Sequence, residues 1–476
     1  MKNEKISRRS SPYQKSLYGA LSITTALVMI LSDGGMTAAK AVTNEELVRL
    51  IKQQQNELKN LRKEVETLKD RKPSARNVSA GKDTITKGEK ENLLDRFVEK
   101  GRRPKSFKIP GTEFDLRIGG FAKGDFISRV SGQTTGAQDL FPVTAILTRG
   151  GRGVDDRTRV HARESRFHVD VAGPTPFGNF RAFVEADFFG VGGNQVASNS
   201  DTFRLRSAYG DLGPLTFGQT WSTFTDTSAY LNTFDFQGPG GQNFIRQGIV
   251  RYTHNFGNGF TLAGAVENPE SRVVPVGQTG AVSFRDANSP DFVLRARYDQ
   301  PWGHIQLAGA VAPVSGPTGF SNEVGYAIGL SGSILTPFTG PKNNFRFQGI
   351  YSDGASRFLQ DFAGGSGSVV VVPASISGAG NNQLELIKGY GGYGGYQHFW
   401  TSNIRSTFGA GYFELETPSF VSPATLKSTF YGVGNLIWSP FPEVDLGVEV
   451  QYGVREDRDG AKGTATRIQS SAIFRF

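Results

Sequence analysis

The chain has 476 residues, with 60 Gly, 36 Phe, 3 Met and no Cys, and a formal net charge of +9. Its length allows one large domain or two to three ordinary ones, and the lack of cysteine excludes disulfides and thiolate metal sites. Beyond the amino terminus no stretch approaches the roughly 20 apolar residues of a spanning helix, which excludes a helical membrane protein. The glycine and aromatic content points to strands and turns.

Residues 1–41 have the layout of a secretory signal peptide. Lys2, Lys5, Arg8, Arg9 and Lys15 make a basic start, residues 20–31 a short apolar run, and Ala39-Lys40-Ala41 a cleavage site, with Thr37-Ala38-Ala39 nearly as good. The residues after Arg8-Arg9 do not continue a twin-arginine pattern, and the apolar run is too short for an anchor. Cleavage removes six basic residues and two acidic ones, so the formal charge falls from +9 to +5. Nothing in the remainder calls for nucleic acid.

Residues 42–72 read as a coiled coil. Leu47, Ile51, Leu58, Leu61, Val65 and Leu68, with Gln54 in the one gap, alternate spacings of four and three, the period of a left-handed supercoil. With Ile51, Leu58 and Val65 at the a positions, Glu57 faces Arg62 and Glu64 faces Lys69 in a parallel assembly. Parallel self-association in the periplasm is expected. Residues 73–112 are polar and basic, with Pro73, Pro104 and Pro110, and read as a linker. Contact with peptidoglycan is one role open to this N-terminal segment.

From 113 to the last residue the chain becomes a series of alternating segments of about ten residues, the length of a tilted strand crossing a bilayer. Strands are expected near 114–130, 158–172, 178–189, 203–211, 214–222, 248–256, 259–267 and 291–299. Eight more follow near 302–312, 324–335, 343–352, 390–399, 403–413, 427–438, 443–453 and 464–476. Short turns alternate with long loops throughout, the sorting of an up-and-down membrane barrel with both termini on the periplasmic side. The predicted fold is an all-β, transmembrane, 16-stranded antiparallel β-barrel carrying an N-terminal helical coiled coil. The final strand ends on Phe476, and closure against the strand beginning near Phe114 removes the bare edge that a soluble sheet would leave.

If the apolar positions face lipid, the opposite faces carry Arg117, Lys123, Arg166, Arg181, Arg204, Arg206, Arg251, Arg295, Arg297, Arg346, Arg405, Arg467 and Arg475. The acids by the same rule are Asp115, Asp125, Glu164, Asp170, Glu185, Asp187, Asp445 and Glu449. Charge on every second position of a membrane strand must line water. The excess is arginine, whose planar fork suits carboxylate and phosphate, so the lumen should favour anions. Some of these arginines are expected to pair with the acids and only brace the wall. The long loop 223–247 follows the fifth strand, where general porins fold a loop inward. Tyr230, Phe234, Phe236 and Arg246 are its constriction candidates.

The histidines are scattered at 161, 168, 254, 304 and 398, with no zinc spacing, and no nucleophile elbow is present. The run Gly389-Tyr-Gly-Gly-Tyr-Gly-Gly-Tyr396 lacks the lysine and helix of a phosphate loop. No enzyme, cofactor or metal is expected.

Ser106-Phe-Lys-Ile-Pro-Gly-Thr-Glu-Phe-Asp-Leu-Arg-Ile-Gly-Gly-Phe-Ala-Lys123 resembles the barrel entry of the DcaP-like outer-membrane porins. So do Ser165-Arg-Phe-His, Phe203-Arg-Leu-Arg-Ser-Ala-Tyr-Gly210 and Phe217-Gly-Gln-Thr-Trp-Ser222. The resemblance implies a homotrimer in the outer membrane of a Gram-negative bacterium, among lipid and lipopolysaccharide. It also implies diffusion of small anions such as dicarboxylates and aromatic acids. The expected function is a water-filled channel for small anionic solutes. The competing readings are a non-selective porin and a tether between outer membrane and cell wall.

Overall fold

The structure is a computed structural model that describes residues 59, 99–134, 140–150, 157–190, 192–193, 198–275, 282–284, 289–315, 320–359, 369–372 and 383–476. The signal peptide, the heptad pattern and most of the linker lie outside these residues.

The expected strands are present. They are β1 (Asp115–Ser131), β2 (Thr158–His161 and Arg166–Thr175), β3 (Gly178–Gly190), β4 (Thr202–Leu212), β5 (Leu215–Trp221), β6 (Arg246–Gly257), β7 (Phe260–Glu267) and β8 (Asp291–Gln300). They continue as β9 (Gly303–Val314), β10 (Glu323–Leu335), β11 (Asn344–Asp353), β12 (Lys388–Phe399), β13 (Ile404–Glu416), β14 (Leu426–Trp438), β15 (Val444–Asp457) and β16 (Lys462–Arg475). Each pairs antiparallel with its sequence neighbour, and β1 pairs with β16 to close a 16-stranded barrel. Outward positions alternate with inward ones: Phe126, Phe217, Leu294, Leu307 and Phe430 are exposed, as a lipid-facing surface requires. Turn chemistry agrees: Asn258 and Gly259 both have positive φ, the geometry of a tight hairpin.

Strand β2 departs from the continuous segment expected at 158–172. Both pieces pair with β1, and between them the chain turns, with Ser165 N–H donating to the Ala162 carbonyl (3.0 Å). The break brings Ser165 onto the Lys123 backbone amide (3.0 Å) and Glu164 onto the Lys123 ammonium.

The seam is completed from two sides. Phe476 exchanges backbone hydrogen bonds with Gly120, which leaves the first residues of β1 beyond the reach of β16. There Phe107–Lys108 adds a short strand opposite Leu116 and Asp115. A hairpin precedes it: Gly101 N–H donates to the Ser106 carbonyl (3.0 Å), and the Arg102 amide donates to the Asp115 carboxylate (3.0 Å). Arg103 reaches the Asp170 carboxylate of β2 (2.9 Å), and Lys105 reaches Glu443 beside β15 (3.5 Å). This strap spans the closing seam at the barrel end that carries the short turns. Arg103→Ala is expected to weaken the folded barrel by about 1–2 kcal/mol, read as a lower temperature for loss of its compact migration on a denaturing gel. An unchanged temperature would show that the strap does not bear on closure.

The interior is not uniformly polar, contrary to the simple alternation. Phe224, Phe358, Leu359, Phe413 and Leu415 pack with Ala308, Ala310, Ala312, Ala327 and Ile350 into an apolar core inside the barrel. A second cluster joins Phe141, Val143 and Ile146 of the first long loop to Leu231, Tyr393, Tyr431 and Val433. Loop segments thus fold inward and bury apolar surface against β8–β16.

Candidate functional site

The segment between Trp221 and Arg246 is the chief of these inward loops. Its entrance is fixed by Glu267 of β7, which accepts from the Ser222 hydroxyl and the Thr223 amide (2.7 Å each). Asp226 then meets Arg297 (3.0 Å), His304 (2.8 Å) and Ser331 (2.9 Å). Burial alone raises a carboxyl, yet the His304 and Ser331 bonds and the Arg297 charge hold Asp226 below the usual carboxylate range. Further along, Asn232 Oδ1 accepts from Gln397 (3.0 Å) and Arg405 (2.8 Å). The amides of Phe234 and Asp235 donate to Glu449 (2.8 and 3.0 Å). Lys123 and Gln469 donate to the Phe234 carbonyl (2.7 and 3.1 Å), and Arg467 pairs with Asp235 (2.7 Å).

The anchors fall on β7 through β16 and on β1, so the loop lies along that wall. The tyrosine–glycine run on β12 belongs to this contact. A Cβ on Gly391 would lie 2.9 Å from the Gly241 backbone, and one on Gly411 of β13 would lie 2.6 Å from the Gly240 carbonyl. Glycine is the residue that lets two backbones approach so closely.

The open space beside the loop borders β2, β4 and β5. A polar space of about 250 Å³ is bordered by Glu164, Arg166 and Arg206 on the wall and by Trp221, Tyr230, Phe236 and Phe244 on the loop side. Of the constriction candidates, Tyr230 and Phe236 line it. Arg246 stacks on Trp221 (4.9 Å to the ring) and feels the like charges of Arg206, Arg204 and Arg166. Phe234 does not line it: only 2% exposed, it is packed into the wall beside Lys123.

The predicted lining residues divide by partner. Lys123 and Arg467 are buried (2% each) and act as braces between wall and loop, not as a water-facing surface. Arg346 and Arg405 likewise hold the loop, through the Tyr230 carbonyl and Asn232. Arg117 and Arg181 share Asp170 (3.0 Å each). Arg204 and Arg206 share Asp187 (2.7 Å each), and Arg206 also meets Glu185. Arg297 is held by Asp226 and Asp299. Arg166 touches Glu164 only at 3.8 Å. Arg246, Arg251 and Arg295 make no ion pair with a described carboxylate, and each has a buried nitrogen without a hydrogen-bond partner. Trp221, Phe244 and Phe189 were not among the sequence candidates. Trp221 sits opposite Arg246 in the β5–β6 register, a pairing that no turn signal in the sequence fixes, because the long inward loop joins the two strands. Phe189 stacks under Arg163 and Arg204.

A closed barrel with an apolar exterior, an arginine-bearing lumen and an inward loop defines a membrane channel of the porin class. The chain belongs to the porin subfamily Porin_2, whose model matches residues 105–468. Its fold is similar to that of the outer-membrane channel DcaP of Acinetobacter baumannii: TM-score 0.65 and 20% identity, covering 78% of this chain and 99% of that one. It is also similar to the anion-selective porin from Comamonas acidovorans, with TM-score 0.51 and 12% identity over 76% of this chain and 100% of that one. No curated protein matches the sequence. Family and fold point to a channel of the outer-membrane porin type.

Proposed function

We propose that the channel passes small anions by passive diffusion, carboxylates and dicarboxylates foremost, and works as a homotrimer. The observation that carries the anion preference is the trio Arg246, Arg251 and Arg295 on the inward face, none of which makes a direct ion pair with a described carboxylate and each of which has a buried nitrogen without a hydrogen-bond partner. A guanidinium held in a narrow wet space attracts anions and repels cations, and low-dielectric walls strengthen both effects. The parallel charge pattern of residues 42–72 supports self-association. The shared fold with an anion-selective porin is consistent with this reading.

The test is the reversal potential of the full chain in a planar bilayer under a potassium chloride gradient. Chloride preference is expected, and Arg246→Glu should lower the chloride-to-potassium permeability ratio severalfold. A cation-preferring wild-type channel would reject the reading.

A further inference from the structure

We infer that the first long loop clamps the constriction: its segment 140–148, docked inside the barrel, holds the tip of the inward loop against the wall. The claim concerns how the pore is kept open, not which ion it prefers, so it stands apart from the anion reading.

Residues 132–157 join β1 to β2 at the end of the barrel that carries the long loops. Segment 140–148 of this connection turns into the lumen. Its backbone is fixed by a turn of 3-10 helix at Val143–Ala145 and by the Leu147 amide, which donates to the Gln133 carbonyl (2.9 Å). The seat lies on the inward faces of β14, β15 and β16, since Phe430, Tyr452 and Ile468 on the alternate positions are exposed outward. Glycines make room for it. A Cβ on Gly453 would lie 2.8 Å from Ile146 Cδ1 and 3.1 Å from Val143 Cγ2, and one on Gly463 would collide with the Leu147 carbonyl. Ile146 fills the seat and is 0% exposed. Arg455 of β15 donates to the Thr144 carbonyl (2.6 Å), and Arg149 pairs with Asp457 (2.7 Å).

Two wall side chains next to the segment serve both loops. Tyr431 of β14 packs against the Phe141 ring (6.1 Å between centroids) and donates its hydroxyl to Asp235 (3.1 Å). Arg467 of β16 has Phe141 on its guanidinium face (5.1 Å) and pairs with Asp235 (2.7 Å). Leu231 joins the apolar cluster that contains Phe141, Val143 and Ile146. In the β15–β16 register Gly453 and Ala465 stand one inward row nearer the long-loop end than Gln451 and Arg467. The segment therefore covers, from that end, the contacts that hold residues 231–235. Attraction between two charges weakens as water enters between and around them. Lifting Phe141 thus loosens the Arg467–Asp235 pair without altering either partner. Phe141 and Ile146 are positioning residues, because they act on the pore through the inward loop.

The experiment records single channels of the full-length protein in planar bilayers, with folding checked by compact migration on a denaturing gel. Ile146→Asp places a charge in the seat, and Gly463→Val fills the seat from the wall. Each should populate the loosened loop about tenfold more, the effect of losing one buried charge-assisted contact. This reads as raised open-channel noise and closure at lower voltage. Gly349→Val, whose Cβ meets nothing within 4 Å, should leave both unchanged. A double-mutant cycle separates positioning from a merely structural role. Phe141→Ala, a milder change confined to the loop, should raise the noise when Asp235 is intact and add little in an Asp235→Ala background. It should add fully to Asp226→Asn, which loosens the far end of the inward loop through Arg297, His304 and Ser331. Wild-type noise and closing voltage in folded Ile146→Asp and Gly463→Val channels overturn the inference, as does full additivity of Phe141→Ala with Asp235→Ala. Should neither of the first two variants fold, the cycle alone decides. Reversal potentials from the same records test the anion reading independently.

Discussion

Glu449→Ala is expected to unpin the inward loop and to turn a quiet channel into one with rapid current fluctuations. Glu449 is fully buried on β15 and accepts from two consecutive loop amides, Phe234 and Asp235, and from Asn435 (2.9 Å) and Gln451. Alanine leaves these donors buried and unpaired. Each orphaned group costs about 1–3 kcal/mol, so the loop tip should give up its wall contacts before it tolerates the loss. Single-channel records should show raised open-channel noise and closure at lower voltage, and the folded barrel should unfold at a lower temperature. Glu449→Gln keeps one acceptor oxygen and should fall between the two. Unchanged noise in the alanine variant would mean that Lys123, Gln469 and Arg467 suffice to hold the loop.

Gly411→Val should act in the opposite sense, by narrowing the pore. The Gly240 carbonyl and Pro239 Cβ lie 2.6 and 2.8 Å from where a Cβ would stand on Gly411. These are backbone and ring atoms, which do not rotate out of the way. The loop must therefore shift off β13 toward the arginine-bearing wall. Overpacking of this kind costs about 1–3 kcal/mol, and conductance should fall below that of the wild type. Gly349→Val is the control, since that inward-loop constraint is missing and a Cβ there meets nothing within 4 Å. Equal conductance in Gly411→Val and the wild type would show that the loop does not border the conducting path.

The strand order and the closing pair were legible because they follow from local rules. Alternation at period two reports which face of each strand meets lipid, and turn residues such as Asn258-Gly259 mark the short connections. The position of the inward loop was legible too, from its length and place after β5. The division of the arginines was not. Arg467 and Arg295 look alike in sequence, each on the polar face of an alternating strand. Arg467 is buried against Asp235, 232 residues away, whereas Arg295 faces alanines and makes no direct ion pair with a described carboxylate. The strap at 99–108 was likewise hidden inside a segment that reads as linker, because its partners Asp170 and Glu443 are distant in the chain.

The amino-acid sequence by itself determined the architecture: the number of strands, their pairing, the turn side and the loop side, and a lumen rich in arginine. Each of these is set by hydrophobic period and turn chemistry within a dozen residues. Only the tertiary structure decided which side of the lumen the loop fills and which arginines form direct ion pairs. That depends on where one inward loop lies down. Its course is set by glycines on β12 and β13 that admit its backbone, and by Glu449, Lys123 and Asp226 contacts formed across the closed barrel.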